Sequence, residues 1–384
     1  MIRSSKVSLK FLNKAKAKQL ENFCIEYRKI VSQIVDILWD MNKIPRLMDK
    51  SITKNIKTDL SSIVVQCAGK QASSIVRSIL SKKKKREYVV SLCEKINKKK
   101  AIYLIKKNLM EKTSKPDLKN INIELDCRLV DIGLENNTSF DGWLTIKNIG
   151  NRKKFYIPFK KHRHFNKLFC LGSIKKCATI TNKDIIFSFE INVKKNTSNK
   201  ILGIDIGKKT LFSCSNGNHS DEKKDVHCYN KIIEKMMKKK YGSKKYKQAQ
   251  DERKNCINYQ IKKLNIKRFG QINIENLKNV GGSKRRPKIM SVWSYREILN
   301  ALEMKCEECG VHILKVNPAY TSRRCSKCGW TEKRNRNGKI FKCLKCGFKK
   351  DSDINAAINI SLSLPCKEKW KFQNKDKFYW SFEK

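Results

Sequence analysis

Two short cysteine knuckles constrain this chain more than any other feature. Cys325-Ser-Lys-Cys328-Gly and Cys343-Leu-Lys-Cys346-Gly repeat one pattern, with fourteen residues between the pairs. Each glycine lets the backbone turn so that its amides reach the thiolates. Four thiolates at this spacing bind Zn²⁺ tetrahedrally, and a site with four protein ligands has no open position, so it is structural. Disulfides are the weaker alternative. The other twelve of the sixteen cysteines are scattered singly or in one weak pair, Cys306 and Cys309, as reduced thiols of a cytosolic protein are. The knuckles occupy little of the chain. Its 384 residues suggest two or three domains, and 40% hydrophobic content is enough to bury real cores.

Charge narrows the partners. The chain carries 87 Lys+Arg against 35 Asp+Glu, a formal +52, and self-repulsion on that scale calls for a polyanionic partner. Nucleic acid is the first candidate and an anionic membrane surface the second. No apolar run approaches the roughly 18 residues that span a bilayer. The first residues, MIRSSKVSLKF, lack the apolar core of a secretory signal. The expectation is a cytoplasmic protein, nucleoid-associated, with no membrane partner.

Along the chain, Val7, Leu9 and Phe11 alternate as a first short strand, and Leu20 to Leu38 carry an apolar stripe at helical spacing. A second helix is expected over Asp59–Leu80, then a helical stretch over Tyr88–Leu109. The basic run Lys82, Lys83, Lys84, Lys85 and Arg86 lies between them, either a solvated face or a phosphate-contacting surface. Near Ser114–Pro116 the texture changes to strands at Ile121–Leu125, Trp143–Ile146, Phe155–Phe159 and Phe187–Val193, a small antiparallel barrel or sandwich. The run Lys160-Lys161-His162-Arg163-His164 reads as a basic loop over a phosphate backbone rather than a metal site.

The last part alternates strands and helices, which implies an α/β core. Strands are expected at 201–206, Thr210–Ser215, Gln271–Ile274 and Ile313–Val316, and helices over Tyr229–Leu264 and Tyr295–Cys306. Lys238, Lys239, Lys240, Lys244 and Lys245 sit beside Tyr241 and Tyr246, a mixture that suits a nucleic-acid groove. Arg285 and Arg286 belong to a glycine-rich basic loop.

Three acids stand out. Asp205 lies in an apolar strand between Gly203 and Gly207, where a carboxylate is costly unless paired or metal-bound. Glu275 follows a strand, at the end where open sheets place ligands. Asp353 opens a helix whose expected apolar face is Ile354, Ala357, Ile358 and Leu362. Singly, each is a turn or capping charge. Together they could converge on two Mg²⁺ (or Mn²⁺) ions, which favour oxygen-only ligation.

Four stretches carry a resemblance: GIDIG at 203–207, IENLKN at 274–279, NPAYTS at 317–322 with the cysteine pairs, and DSDINAAINI at 351–360. They resemble the RuvC motifs and inserted zinc ribbon of TnpB (OrfB) proteins, transposon-encoded RNA-guided nucleases related to compact type V CRISPR effectors. The resemblance is specific from about 199 to 362 and looser before it. It implies a multidomain α+β protein with an RNase H-like (RuvC) α/β nuclease core and inserted zinc ribbon, preceded by a helical recognition domain and a small antiparallel β-barrel. The implied boundaries are 1–13 and 113–198 for the wedge barrel, 14–112 for recognition, 199–320 and 351–384 for the nuclease core and tail, and 321–350 for the ribbon. By motif, Asp205, Glu275 and Asp353 fall on the catalytic, magnesium-binding acids, with Asp351 an accompanying acid, and Cys325, Cys328, Cys343 and Cys346 on the zinc ligands. Arg324, beside Arg323, would bring a guanidinium near the scissile phosphate. The implied partners are a guide RNA and double-stranded target DNA, with monomer and homodimer both open.

Overall fold

Nine apolar side chains at helical spacing between Leu20 and Leu38 dictate the first long element. In the computed structural model all nine are buried on helix α1 (Lys14–Trp39), whose N-terminus is capped by Asn13, with Oδ1 accepting from the Lys16 amide at 2.8 Å. The structure describes the chain apart from residues 42, 46–47, 96–98, 100–101, 104–105, 107–114, 135–137, 151–152, 208–209, 221–227, 278–291, 364–376 and 380–384. Arg285 and Arg286 therefore lie outside the described residues. Contacts divide the chain into two units, Met1–Asn192 and Val193–Lys384. The division precedes the expected one at 198/199 because the intervening strap belongs to the second unit. Asn196 donates its amide to Gly310 O at 2.8 Å and its side chain to Lys267 O at 2.7 Å.

In the first unit, strand β1 (Ile2–Ser8) ends before the expected Phe11, because the chain turns there, with Leu12 donating its amide to Leu9 O at 3.1 Å. Helix α2 is a single turn (Lys50–Thr53), and α3 runs unbroken over Ser62–Lys95. The expected break after Leu80 does not occur, because lysine and arginine are good helix formers. Lys82 to Lys85 are exposed on α3 and Arg86 is half-buried. Strands β2 (Ile123–Leu125), β3 (Val130–Gly133), β4 (Gly142–Ile146) and β5 (Phe155–Phe159) precede helix α4 (Arg163–Leu171), β6 (Ser173–Ile180) and β7 (Asp184–Glu190). They form two antiparallel sheets, ordered β1-β7-β6-β2 and β3-β4-β5. Of the expected basic loop, Lys160, Lys161 and His162 are loop, while Arg163 and His164 open helix α4. His162 caps it, with Nε2 2.8 Å from Lys6 O, and His164 stacks on the His162 ring at 6.2 Å. The sequence reading also missed β6, where Lys175 and Lys176 and a bulge between Ile174 and Ala178 interrupt the alternation.

The second unit is built on a sheet of β8 (Ile201–Asp205), β9 (Ser213–Cys214), β10 (Gln271–Glu275) and β11 (His312–Val316), ordered β11-β10-β8-β9. Strand β10 is parallel to both neighbours, and β9 is antiparallel to β8. Leu202, Ile204, Ile272 and Ile274 bury one face against helices α5 (Tyr229–Met237), α6 (Lys244–Lys263) and α7 (Tyr295–Cys309). The single basic helical region expected over Tyr229–Leu264 is thus a helix pair. Lys238 and Lys240 are exposed and Lys239 half-buried in its turn, and Lys244 and Lys245 are exposed at the start of α6. Tyr241 is 83% exposed beside them, whereas Tyr246 is core and offers no stacking face. The ribbon contributes β12 (Trp330–Glu332), β13 (Arg336–Asn337), β14 (Ile340–Lys342) and β15 (Lys349–Asp351). Helix α8 (Ser352–Ser361) follows, and β16 (Lys377–Tyr379) pairs antiparallel with β12. No helix among the described residues is long and apolar enough to cross a membrane.

Candidate functional site

Parallel pairing sets the first two acids side by side. Ile274 of β10 is in register with Ile204 of β8, and Glu275 and Asp205 each stand one residue further along, at the carboxyl ends of adjacent strands. Helix α8 brings the third acid. It can lie directly on the sheet because residue 203 is glycine: a Cβ there would collide with the Ala357 carbonyl and the Ser361 amide. The helix is fixed at both ends. Buried Asn273 of β10 donates Nδ2 to Ser361 O at 2.8 Å and to Ser363 Oγ at 2.6 Å. At the other end Asp351 is the N-cap, with Oδ1 accepting from the amides of Asp353 and Ile354 at 2.9 and 3.0 Å.

The face that α8 buries differs from the expected one. Ser352, Asn355, Ala356, Ala357, Asn359 and Ile360 are buried, while Leu362 is exposed. The two asparagines have a specific task. Asn355 and Asn359 donate Nδ2 to Arg324 O at 2.8 and 2.7 Å, and Asn359 Oδ1 accepts from Arg324 Nη1 at 2.8 Å. Arg324 is 7% exposed, and Nη1 also donates to Cys325 O at 3.2 Å. This corrects the expectation for Arg324. Its guanidinium stitches the first knuckle to α8 and is not presented to a phosphate.

The acids are electrostatically coupled. Burial, then Glu275 and Asp353, push the Asp205 carboxyl up to about 7, against the opposing pull of Arg336 and Lys339. Burial also raises Glu275, offset by Thr321, whose Oγ1 donates to Oε1 at 2.6 Å. Asp353 is paired twice: Arg336 Nη2 donates to Oδ1 at 2.8 Å and Lys339 Nζ to Oδ2 at 2.6 Å. Sequence reasoning missed Thr321, Arg336 and Lys339. Only Thr321 stood inside a recognised stretch, and the two cations are indistinguishable by pattern from the other lysines and arginines of the chain.

The four cysteines are gathered as the spacing requires. Their sulfurs all lie within 4.8 Å of one another, with Cys325–Cys346 at 3.7 Å and Cys328–Cys343 at 3.6 Å. Sulfurs about 2.3 Å from a tetrahedral ion stand about 3.8 Å apart, so the cluster fits a metal of zinc's size. Gly329 and Gly347 turn the backbone after each knuckle at φ 80° and 69°. Burial raises the Cys325 thiol to about 12, while the Phe348 amide beside Cys346 holds that thiol down at about 7. Around the sulfurs the ribbon buries only Phe341, with Trp330 and Phe348 half-covered, too little to fold alone.

A family model described as Cas12f1-like, TNB domain, matches residues 295–360. The CRISPR-associated endodeoxyribonuclease Cas12f1 of Sulfoacidibacillus thermotolerans is 28% identical over 209 residues, covering 47% of this chain and 49% of that protein. A TnpB-like protein of Aquifex aeolicus is 35% identical over 92 residues, 22% of this chain and 30% of its own. A putative transposase of Methanocaldococcus jannaschii is 35% identical over 75 residues, 17% of this chain and 69% of its own. The chain thus spans about half the length of the Cas12f1 relative, or less for the TnpB-like one.

Proposed function

The chain belongs to the family of TnpB-like proteins and Cas12f1-type compact type V nucleases, and on that premise we propose that it is an RNA-guided DNA endonuclease of the TnpB type. The observation that carries the reading is the meeting of Asp205, Glu275 and Asp353, acids far apart in sequence, where the charges of Glu275 and Asp353 add to burial in raising the Asp205 carboxyl. In this reading the sheet of β8–β11 with α8 is an RNase H-like (RuvC) core.

Three carboxylates brought together in a half-buried corner are a hard, oxygen-only donor set, which suits Mg²⁺ or Mn²⁺. Bound there, two such ions would supply an activated water and stabilise the leaving oxygen of a phosphodiester. The chain's own residues do the positioning. Asp205 and Glu275 are fixed by strand register, Thr321 orients Glu275, and Asp353 is carried by a helix pinned through Gly203 and Asn273. Arg336 faces the same acids and is suited to carry phosphate charge. The cysteine cluster would hold Zn²⁺ and keep the ribbon, with Arg336 and Lys339, folded against that helix.

The partners in this reading are a guide RNA and double-stranded DNA, held by phosphate contacts from a chain of net charge +52. Helices of 14–112 would form the recognition region and the two antiparallel sheets the wedge barrel. A second reading, a compact type V CRISPR effector, is favoured by the likeness to Cas12f1. Sequencing the RNA that co-purifies with the protein separates the two by its origin. A Mg²⁺-dependent cleavage assay with that RNA tests the shared claim: Asp205→Ala should abolish cutting and leave RNA–DNA binding intact, and retained cutting would sink it.

A further inference from the structure

We propose that Lys339 is a latch on the acid cluster, drawn off by the phosphate backbone of the substrate strand, so that nucleic acid and divalent cation load the site cooperatively. The proposal rests on the reading of the acids as a metal site.

Both oxygens of Asp353 face a positive group, Arg336 Nη2 at 2.8 Å and Lys339 Nζ at 2.6 Å, so any cation bound through Asp353 must compete with them. The two are not equally held. The Arg336 side chain is 33% exposed, whereas that of Lys339 is 61% exposed. Lys339 Nζ also donates to Thr210 Oγ1 at 3.3 Å, so the ammonium bridges Asp353 and the segment after β8.

The backbone beneath Lys339 does not need to move for the latch to open. Ser352 donates its amide to Lys339 O and its hydroxyl to Gly338 O, both at 2.9 Å, and Ile340 is in ladder register with Asp351. The hairpin is thereby welded to the start of the helix that carries Asp353. The part that would turn is a four-carbon stem ending in a compact charge. A phosphate diester arriving at the acids offers that ammonium a new anionic partner. Once Lys339 turns to it, one repulsive neighbour of the incoming cation is gone. Linkage makes the effect reciprocal: the cation must tighten nucleic-acid binding by the same factor that nucleic acid tightens cation binding.

The test is Mn²⁺ affinity of the full chain, read from the loss of the free-ion paramagnetic signal, so that cleavage is not needed. A phosphorothioate oligodeoxynucleotide supplies backbone charge, and its own Mn²⁺ uptake is measured separately. Wild-type protein should gain affinity about tenfold when the oligonucleotide is added, within the usual range of coupling between sites. Lys339→Gln should bind Mn²⁺ more tightly without nucleic acid and gain little from it. Lys339→Arg should restore the coupling, which separates charge from folding. A Lys339→Gln protein that binds Mn²⁺ no more tightly than wild type, or gains as much from the oligonucleotide, overturns the latch. Asp205→Asn serves as the control for the parent reading: Mn²⁺ affinity indifferent to it would mean that the ion is not held by the acids, and the latch would fall with that reading.

Discussion

The cysteine ribbon and the acid cluster sit in one unit and are built by opposite means. The four sulfurs come from residues 325 to 346 and stand at tetrahedral spacing on turns that two left-handed glycines allow. The three acids come from residues 205, 275 and 353 and meet only because two strands are in register and a helix is pinned across them. On the proposed reading the ribbon would fold around its metal. The acid cluster needs the fold first, with Glu275 held by Thr321 and Asp353 by Arg336 and Lys339. A local site is therefore encoded in spacing, and a long-range site in packing.

Removing the ribbon's metal should have the largest effect. Structural zinc in small peptides contributes roughly 10–16 kcal/mol of apparent binding energy, comparable to the whole stability of a domain. Cys343→Ser should lower zinc content, open residues 321–350 to proteolysis and abolish cleavage together. A protease-resistant ribbon without zinc would break the comparison. Next is the seam between the two sites. Arg324→Leu leaves Asn359 Oδ1 without its donor and should lower stability by about 1–3 kcal/mol in thermal unfolding. Because Arg324 is buried, the salt dependence of nucleic-acid binding should not change. A shallower salt slope would restore Arg324 to the phosphate surface.

Gly203→Ala tests the packing side of the contrast. The new methyl must displace α8, costing about 1–3 kcal/mol and moving Asp353. Cleavage should fall more steeply than melting temperature, with RNA binding unchanged.

The smallest effect is that of pH. An Asp205 carboxyl held at about 7 keeps its proton below that pH, so cation affinity should weaken as pH falls through 7. Without a cation the same shift acts on folding. The folded state takes up the proton more readily than an unfolded chain with an ordinary carboxyl near 4, so this contribution to stability is greatest below about 4 and is lost as pH rises to 7. Mg²⁺ should therefore raise the melting temperature more at pH 8 than at pH 6, and an equal rise would separate Asp205 from the ion.

What could be read from the sequence follows the same division. The stripe of α1 was legible because its nine apolar positions repeat at helical spacing, and all are buried. The cysteine cluster was legible for the same local reason. Helix α8 was located correctly, but its buried face was not, because Asn355 and Asn359 are polar residues buried by their bonds to Arg324 O. Tyr246 misled in the other direction, since a tyrosine among lysines gives no local sign that it faces a core. Arg336 and Lys339 could not be singled out at all. Their meaning depends on a hairpin folding back onto Asp353.

The claim that three distant acids act as one site is tested most directly by cutting with Asp205→Ala, Glu275→Ala and Asp353→Ala, singly and in pairs, beside a binding assay for each. Residues that act as a unit are non-additive. Each single variant should fall to the same floor as the pairs while still binding RNA and DNA. Any single variant that keeps a substantial fraction of wild-type cutting, with the pairs dropping further in steps, would contradict a shared site.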